Sequence, residues 1–378
     1  MKTCISENRI FRGEKALIME NDTLRAVILP ERGAKIASLR LLPPGFDAGG
    51  ASAPGPSGDS VPVPAGDFAP LPAGGFAPVP AGGFVSDSRS RSGSDSISDA
   101  ELRTADAGTE VLAQITTKTY GSTLEYGGEF GEEDGSGFDD MLTTIDACEL
   151  DIPRIGPVRL PDHGEAWSRP WEYRIDGESV VLSIGGIALP YRFTKRLSLG
   201  AGELQAEYTA VNRSAGPLPF QWAAHALFQI SPGARLEIPS DMHTIYSVCP
   251  GRALPEKNRT YDYPHPFGPE GIDLSLMPPR NKHGMQKYWF TEALTEGRCS
   301  ITDIEHGFRA SLIFDPADLP WLGIWVNEGG WHGGYNLGIE PSTCWLDSPA
   351  AGMEKDRCLL LGPGETKRWG ITLRTEIP

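Results

Sequence analysis

The stretch Ala16–Leu29 reads ALIMENDTLRAVIL. A short apolar run, an Asn-Asp pair and a second apolar run are the signature of a β-hairpin: Asn and Asp accept the turn's backbone while the flanking side chains bury a sheet face. The same pattern recurs outward from it. Val111–Tyr120 (VLAQITTKTY), Ser179–Ile184, Ala188–Leu199, Leu204–Val211, Ser300–Ile304, Phe308–Phe314 and Trp369–Thr375 are all rich in β-branched and aromatic residues. Gly, Pro or Asn-Asp turns bound most of them, and no helical period is sustained over a dozen residues. Short strands at roughly ten-residue spacing predict an all-β fold, two antiparallel sheets of about fifteen or more strands packed as a sandwich.

One segment stands apart. Val61–Phe68 reads VPVPAGDF, Ala69–Phe76 APLPAGGF and Ala77–Phe84 APVPAGGF, an eight-residue repeat that runs into the Ser-rich stretch SDSRSRSGSDSIS. Proline at alternate positions removes backbone donors and fixes φ, so neither helix nor sheet ladder is available. The expected organisation is a single β-sandwich domain from residues 1–42 and 100–378. Residues 43–99 are then a low-complexity, disordered Pro/Gly-rich insertion.

Composition narrows the function. The chain carries 45 Gly and 33 Pro in 378 residues, about a fifth of the total, against roughly 12% in an average protein. With no apolar stretch near the ~20 residues of a spanning helix, a membrane protein is excluded, as are coiled coils and helical bundles. Its formal net charge of −16 opposes binding to nucleic acid or anionic lipid, both of which need clustered cations. Six scattered cysteines show neither a C-x-x-C pair nor zinc-like spacing, and the N-terminus lacks a signal-peptide apolar core. A cytoplasmic enzyme with free thiols and no metal or other cofactor is the simplest expectation.

Four islands combine aromatic, ionisable and Gly residues, the mixture that binds sugars: ring faces stack on the apolar side of a pyranose, and charged groups and amides bind its hydroxyls. They are Gly137–Asp146 (GFDDMLTTID), Leu160–Trp171 (LPDHGEAWSRPW), Phe220–Gln229 (FQWAAHALFQ) and Trp321–Trp345 (WLGIWVNEGGWHGGYNLGIEPSTCW). Asp139 sits in the first, and His163 and Arg169 in the second. The third holds Trp222 and His225, a His that an apolar strand could equally carry as a satisfied core residue. The fourth holds Trp325 and Glu340, a carboxylate between an apolar Leu-Gly-Ile run and Pro341. A buried Glu needs a partner or a raised pKa, and a raised pKa suits a general base working near neutrality.

In order and spacing these islands, with the N-terminal LRAVILPERGAKIASL of Leu24–Leu39, resemble the galactose mutarotase-like superfamily, the aldose 1-epimerases. That resemblance covers nearly all of the chain outside residues 43–98. It implies a large antiparallel β-supersandwich and an isomerase that interconverts the α and β anomers of a hexose without cofactor. By position, His225 resembles the family's acid, which protonates the ring oxygen, and Glu340 its base, which takes the anomeric proton. His163 resembles its second, substrate-positioning His. Arg169, Asp139, Trp222, Lys287 and Trp325 are the candidate substrate-binding residues, with Asp241 and Asp273 as alternatives for the family's binding Asp.

The chain departs from the galactose mutarotases in two contexts. Ala223-Ala224 precedes His225 where those enzymes have an Asn, and His163 sits in Asp162-His163-Gly164-Glu165 rather than His-Gly-Gly. The sugar is therefore left open among free, modified and phosphorylated hexoses, a phosphate calling for a cluster such as Arg169, Lys282 and Lys287. A non-catalytic carbohydrate-binding protein on the same fold is the alternative. A polysaccharide lyase or hydrolase fits less well, lacking the expected length.

Overall fold

Alternating apolar and polar residues build two large antiparallel sheets, and the computed structural model describes residues 2–46, 107–115, 120, 124–133, 135–280 and 284–378. In chain order the strands begin with β1 (Cys4–Phe11), β2 (Glu14–Glu20), β3 (Leu24–Leu29), β4 (Lys35–Leu41), β5 (Thr109–Glu110), β6 (Phe138–Thr143), β7 (Cys148–Ile152) and β8 (Gly156–Leu160). They continue with β9 (Glu172–Asp176), β10 (Ser179–Gly185), β11 (Tyr191–Gly200), β12 (Glu203–Asn212), β13 (Leu218–Pro219), β14 (Gln221–Gln229), β15 (Arg235–Glu237) and β16 (Thr244–Cys249). The last are β17 (Thr260–Asp262), β18 (Gly284–Phe290), β19 (Arg298–Asp303), β20 (Phe308–Phe314), β21 (Trp321–Glu328), β22 (Tyr335–Ser342), β23 (Leu360–Leu361) and β24 (Thr366–Glu376). Among the described residues one short α-helix, α1, spans Pro349–Met353, and its N-cap Ser348 accepts a hydrogen bond from the Ala351 amide.

The all-β expectation holds. The larger sheet has twelve strands in the order β1-β2-β3-β4-β6-β14-β22-β21-β18-β16-β17, with β5 on β4. The smaller has eight, β15-β19-β20-β24-β12-β11-β10-β9. The hairpin read in Ala16–Leu29 is β2–β3. Asn21 closes its turn, its Oδ1 accepting from the amides of Thr23 and Leu24. Val111–Tyr120 is corrected: among its described residues only Leu112 makes a bridge, to Phe228, and Ser136 Oγ takes the amide of Ile115. Residues 116–119 of that stretch, the eight-residue repeat and Lys282 lie outside the described residues.

Between the sheets lies one continuous core that includes Phe193, Tyr208, Phe220, Trp222, Phe228, Tyr288 and Trp369. Burying aromatics of this size, at ~25 cal/mol per Å² of apolar surface, is the main drive to closure. Inside it Asp140 forms a salt bridge with Lys195 at 2.7 Å, Trp222 Nε1 donates to the other carboxylate oxygen at 3.0 Å, and Lys195 also donates to the Ala34 carbonyl. Free thiols are expected at all six cysteines, but Cys344 and Cys358 form a disulfide, the antiparallel bridge between them holding their Cα atoms 4.1 Å apart. Cys4, Cys148, Cys249 and Cys299 are free. Among the described residues no helix is long and apolar enough to cross a membrane.

Candidate active site

The face of the large sheet that turns away from the core carries most of the candidate residues. Side chains alternate across a strand, so residues two apart share a face. Asp139 on β6 lies opposite His225 on β14. The β14–β22 register, Ala223 to Ser342 and Ala226 to Ile339, runs His225 beside Glu340, where Pro341 has no amide to give the ladder. Glu340 in turn lies opposite Gly323 on β21, and Gly323 opposite Trp289 on β18. One row therefore crosses five neighbouring strands as Asp139, His225, Glu340, Gly323 and Trp289. The next row brings Gly338, Trp325 and Lys287 together. Directly opposed residues have Cβ atoms about 5 Å apart, close enough for His225 and Glu340 to work on one sugar.

His163 reaches this row from the loop after β8. Its backbone is left-handed, at φ 54°, as is that of Gly164. A Cβ on Gly164 would stand 2.1 Å from the Leu142 carbonyl oxygen, so this tight reversal requires glycine there. His163 Nδ1 pairs with Asp162 at 3.0 Å, and its ring centroid lies 5.2 Å from that of His225. Phe130 stacks on His163 at 4.0 Å and meets His225 edge-on at 5.2 Å. Trp325 and Trp331 complete an aromatic wall, Trp331 Nε1 tying the β21–β22 loop to the Gly131 carbonyl.

Charge is arranged tightly around Glu340. Lys287 Nζ lies 2.7 Å from its Oε2 and 2.9 Å from Asp347 Oδ1, while Oε1 has no hydrogen-bond partner among the described residues. Gly323 carries no side chain to obstruct the reach from β18 to β22. Asp347 also accepts from Trp289 Nε1 at 3.0 Å. Burial raises the Glu340 pKa above the usual carboxylate range despite the opposing pull of Lys287. Burial likewise holds His225 well below the usual imidazole range, reinforced by His163, Lys287 and Lys35, and its Nδ1 is buried without a hydrogen bond. For Lys287, desolvation would lower the pKa, but Asp347 and Glu340 outweigh it and raise it. Asp146, on the rim, is raised by desolvation and by Asp347.

The structure gathers His163, His225, Glu340, Asp139, Lys287 and Trp325, and separates the other two candidates from them. Trp222 is corrected to a core residue: three positions before His225, it faces the opposite side of β14 and is fully buried on Asp140. Arg169 donates to the Gly185 carbonyl at 2.8 Å and, like Glu165, acts on the Tyr191 hydroxyl rather than on His225 or Glu340. Asp241 accepts from Thr295, and Asp273 closes a turn with Ser275. The sequence reading missed Asp347, Lys35, Phe130 and Trp331. Lys35 had a visible signal, a charge between Ala34 and Ile36 in an apolar strand, and it pairs with Asp139 at 3.1 Å. Asp347 had none, since its role depends on how the chain returns after β22.

A separate cavity of about 410 Å³ opens behind β18 and β21, lined by Ile272, Leu274, Met277, Gln286, Val326 and Glu328 among others. It shares no residue with the row. Among the described residues no group of three or more side chains is placed to hold a metal ion.

Comparison with known proteins agrees with this architecture. The aldose 1-epimerase family profile matches residues 144–312, a span that holds His163, His225 and Lys287 but stops short of Glu340. In fold the chain is similar to a galactose mutarotase-like protein from Clostridium acetobutylicum. The two share 13% identity at a TM-score of 0.58, over all of this chain and 99% of that one. It is also similar to a galactose mutarotase related enzyme from Lactobacillus acidophilus (13%, TM-score 0.57, 96% of this chain and 97% of that one). A protein from Synechocystis sp. PCC 6803 aligns over the full length of both chains at 13% identity and a TM-score of 0.60. Curated protein sequences yield no significant match. The chain thus has the fold of these proteins, and its residues 144–312 match the aldose 1-epimerase family profile.

Proposed function

We propose that the protein is an aldose 1-epimerase, converting one anomer of a hexose into the other by acid–base ring opening. The observation that carries this reading is the adjacency of His225 and Glu340 on neighbouring strands, each buried with an unpartnered polar atom. Ring opening moves one proton off O1 and one onto O5. Glu340 takes the O1 proton as the C1–O5 bond breaks and C1=O1 forms, and His225 supplies the proton to O5. Rotation about C1–C2 presents the other face of the aldehyde, and reclosure returns both protons. His163, fixed by Asp162, positions the substrate hydroxyls, and Phe130, Trp325 and Trp331 offer stacking faces.

The substrate this site favours is an uncharged hexose. Both lysines at the row are already paired with carboxylates, Lys287 with Glu340 and Asp347 and Lys35 with Asp139. Asp146 and Asp162 add further negative charge around His163. A phosphate placed there would meet repulsion before it met a cation.

The test is NMR exchange spectroscopy on free hexoses and hexose phosphates. The expected result is α–β exchange for a free hexose, lowered at least ~100-fold by Glu340→Gln, the scale of a lost general base. Saturable binding without accelerated exchange would instead identify a carbohydrate-binding protein, a reading that the ion pair at Glu340 keeps open.

A further inference from the structure

Before the sugar reacts, Glu340 and His225 compete for protons. The pair can store one proton in two ways, as imidazolium with carboxylate or as imidazole with carboxylic acid. Only the first arrangement is ready to protonate O5 and deprotonate O1 as described. Burial alone favours the second, since both charged forms are desolvated together.

Lys287 is placed to set the charge of Glu340. It is held from two sides, by Glu340 at 2.7 Å and by Asp347 at 2.9 Å, and Trp289 Nε1 fixes Asp347 at 3.0 Å. Backbone bonds from the Ile145 and Asp146 amides to the Asp347 carbonyl anchor that residue to the loop after β6. The charged or titratable groups facing Glu340 are Lys287 from β18, Asp347 from the turn after β22, and His163 from the loop after β8. Around His225 stand His163, Lys287 and Lys35 from β4, with Asp139 opposite on β6. Of these cations, Lys287 alone is in contact with the Glu340 carboxylate.

We propose that Lys287, locked in place by Asp347, is the positioning residue that keeps Glu340 as the carboxylate, the form able to take the O1 proton. It touches neither O1 nor O5 in this scheme, so the proposal rests on the epimerase reading for its consequence but not for its electrostatics.

Two substitutions should move Glu340 in opposite directions. In Lys287→Met the cation is gone and Glu340 holds its proton to higher pH. In Asp347→Asn a like charge is removed and Lys287 turns wholly to Glu340, which then loses its proton at lower pH. The measurement is a carboxyl-¹³C titration of the full-length protein labelled at glutamate, with the Glu340 signal assigned by its absence in Glu340→Gln. The expected result is a rise of about one pH unit or more in Lys287→Met and a fall in Asp347→Asn, with the acidic limb of the exchange rate moving the same way. Unmoved titrations in both variants, even with lowered activity, would reduce Lys287 to a packing role and overturn the proposal. The titration stands without turnover, so a protein that exchanges no sugar would refute the epimerase reading while still testing this one. If Lys287→Met fails to fold, Asp347→Asn alone decides by the sign of its shift.

Discussion

Two buried ion groups lie on opposite faces of the same large sheet, and they differ in how fully their atoms are bonded. On the core side both oxygens of Asp140 are occupied, one by Lys195 and one by Trp222 Nε1. On the outer side, among the described residues, Glu340 keeps Oε1 without a hydrogen bond, and His225 keeps Nδ1 without one. Asp139 and Asp140 are consecutive, yet one joins each group, because successive side chains of a strand point to opposite faces. A closed network stabilises a fold, and an open one can receive a ligand. Completeness of hydrogen bonding, rather than burial or charge, separates the two.

That contrast can be broken in three ways. The largest effect is expected from Asp140→Asn, which leaves Lys195 as a buried cation without its counter-charge. Chemical denaturation should show a loss of about 3–5 kcal/mol, while exchange per folded molecule stays near wild type. An unchanged stability would mean that the core pair is not the structural member.

Next comes pH. His225 has its folded-state pKa lowered by burial, so the unfolded chain binds its proton first as the solution is acidified. Stability is therefore fully present above about pH 6.5 and is lost as pH falls below it, by at most ~1.4 kcal/mol per pH unit from this one group. Subtracting the stability profile of His225→Gln from that of the wild type should isolate this slope. A flat difference would place His225 in a solvated setting and weaken the contrast.

The smallest effect is expected at Gly338, where an added Cβ would lie 3.3 Å from Glu340 Oε1 and 3.4 Å from the Trp325 Cβ. Gly338→Ala should change stability by less than about 1 kcal/mol yet slow exchange several-fold, because a few tenths of an ångström at the base matter to proton transfer. Equal losses in both would show that the open group is also structural.

The strands were legible because their period of two survives where one face is wet, as in β11 and β12, whose buried and exposed positions alternate. His225 and Glu340 were legible through motif order. The face of Trp222 was not: nearly every residue of QWAAHALFQ is buried, on both sides of the strand, so hydrophobicity carries no alternation there. Arg169 looked available beside two tryptophans, but a carbonyl at the end of β10 takes its guanidinium. Lys287 could be named but not its partners, because Glu340 and Asp347 reach it only when β21 lies between their strands. The disulfide was invisible for a similar reason, its cysteines being joined by a bridge that no local spacing announces.

The row Asp139, His225, Glu340 has a kinetic meaning as well. Its members come from β6, β14 and β22, side by side in the sheet but far apart along the chain. The β9–β12 meander closes through near neighbours, whereas each pair in this row needs a long loop of chain to be gathered before it forms, and the whole row needs two. Chemistry at the row therefore belongs to the completed sheet alone. A nascent, nicked or partly folded chain can hold most of its strands and still have no place where an acid and a base meet.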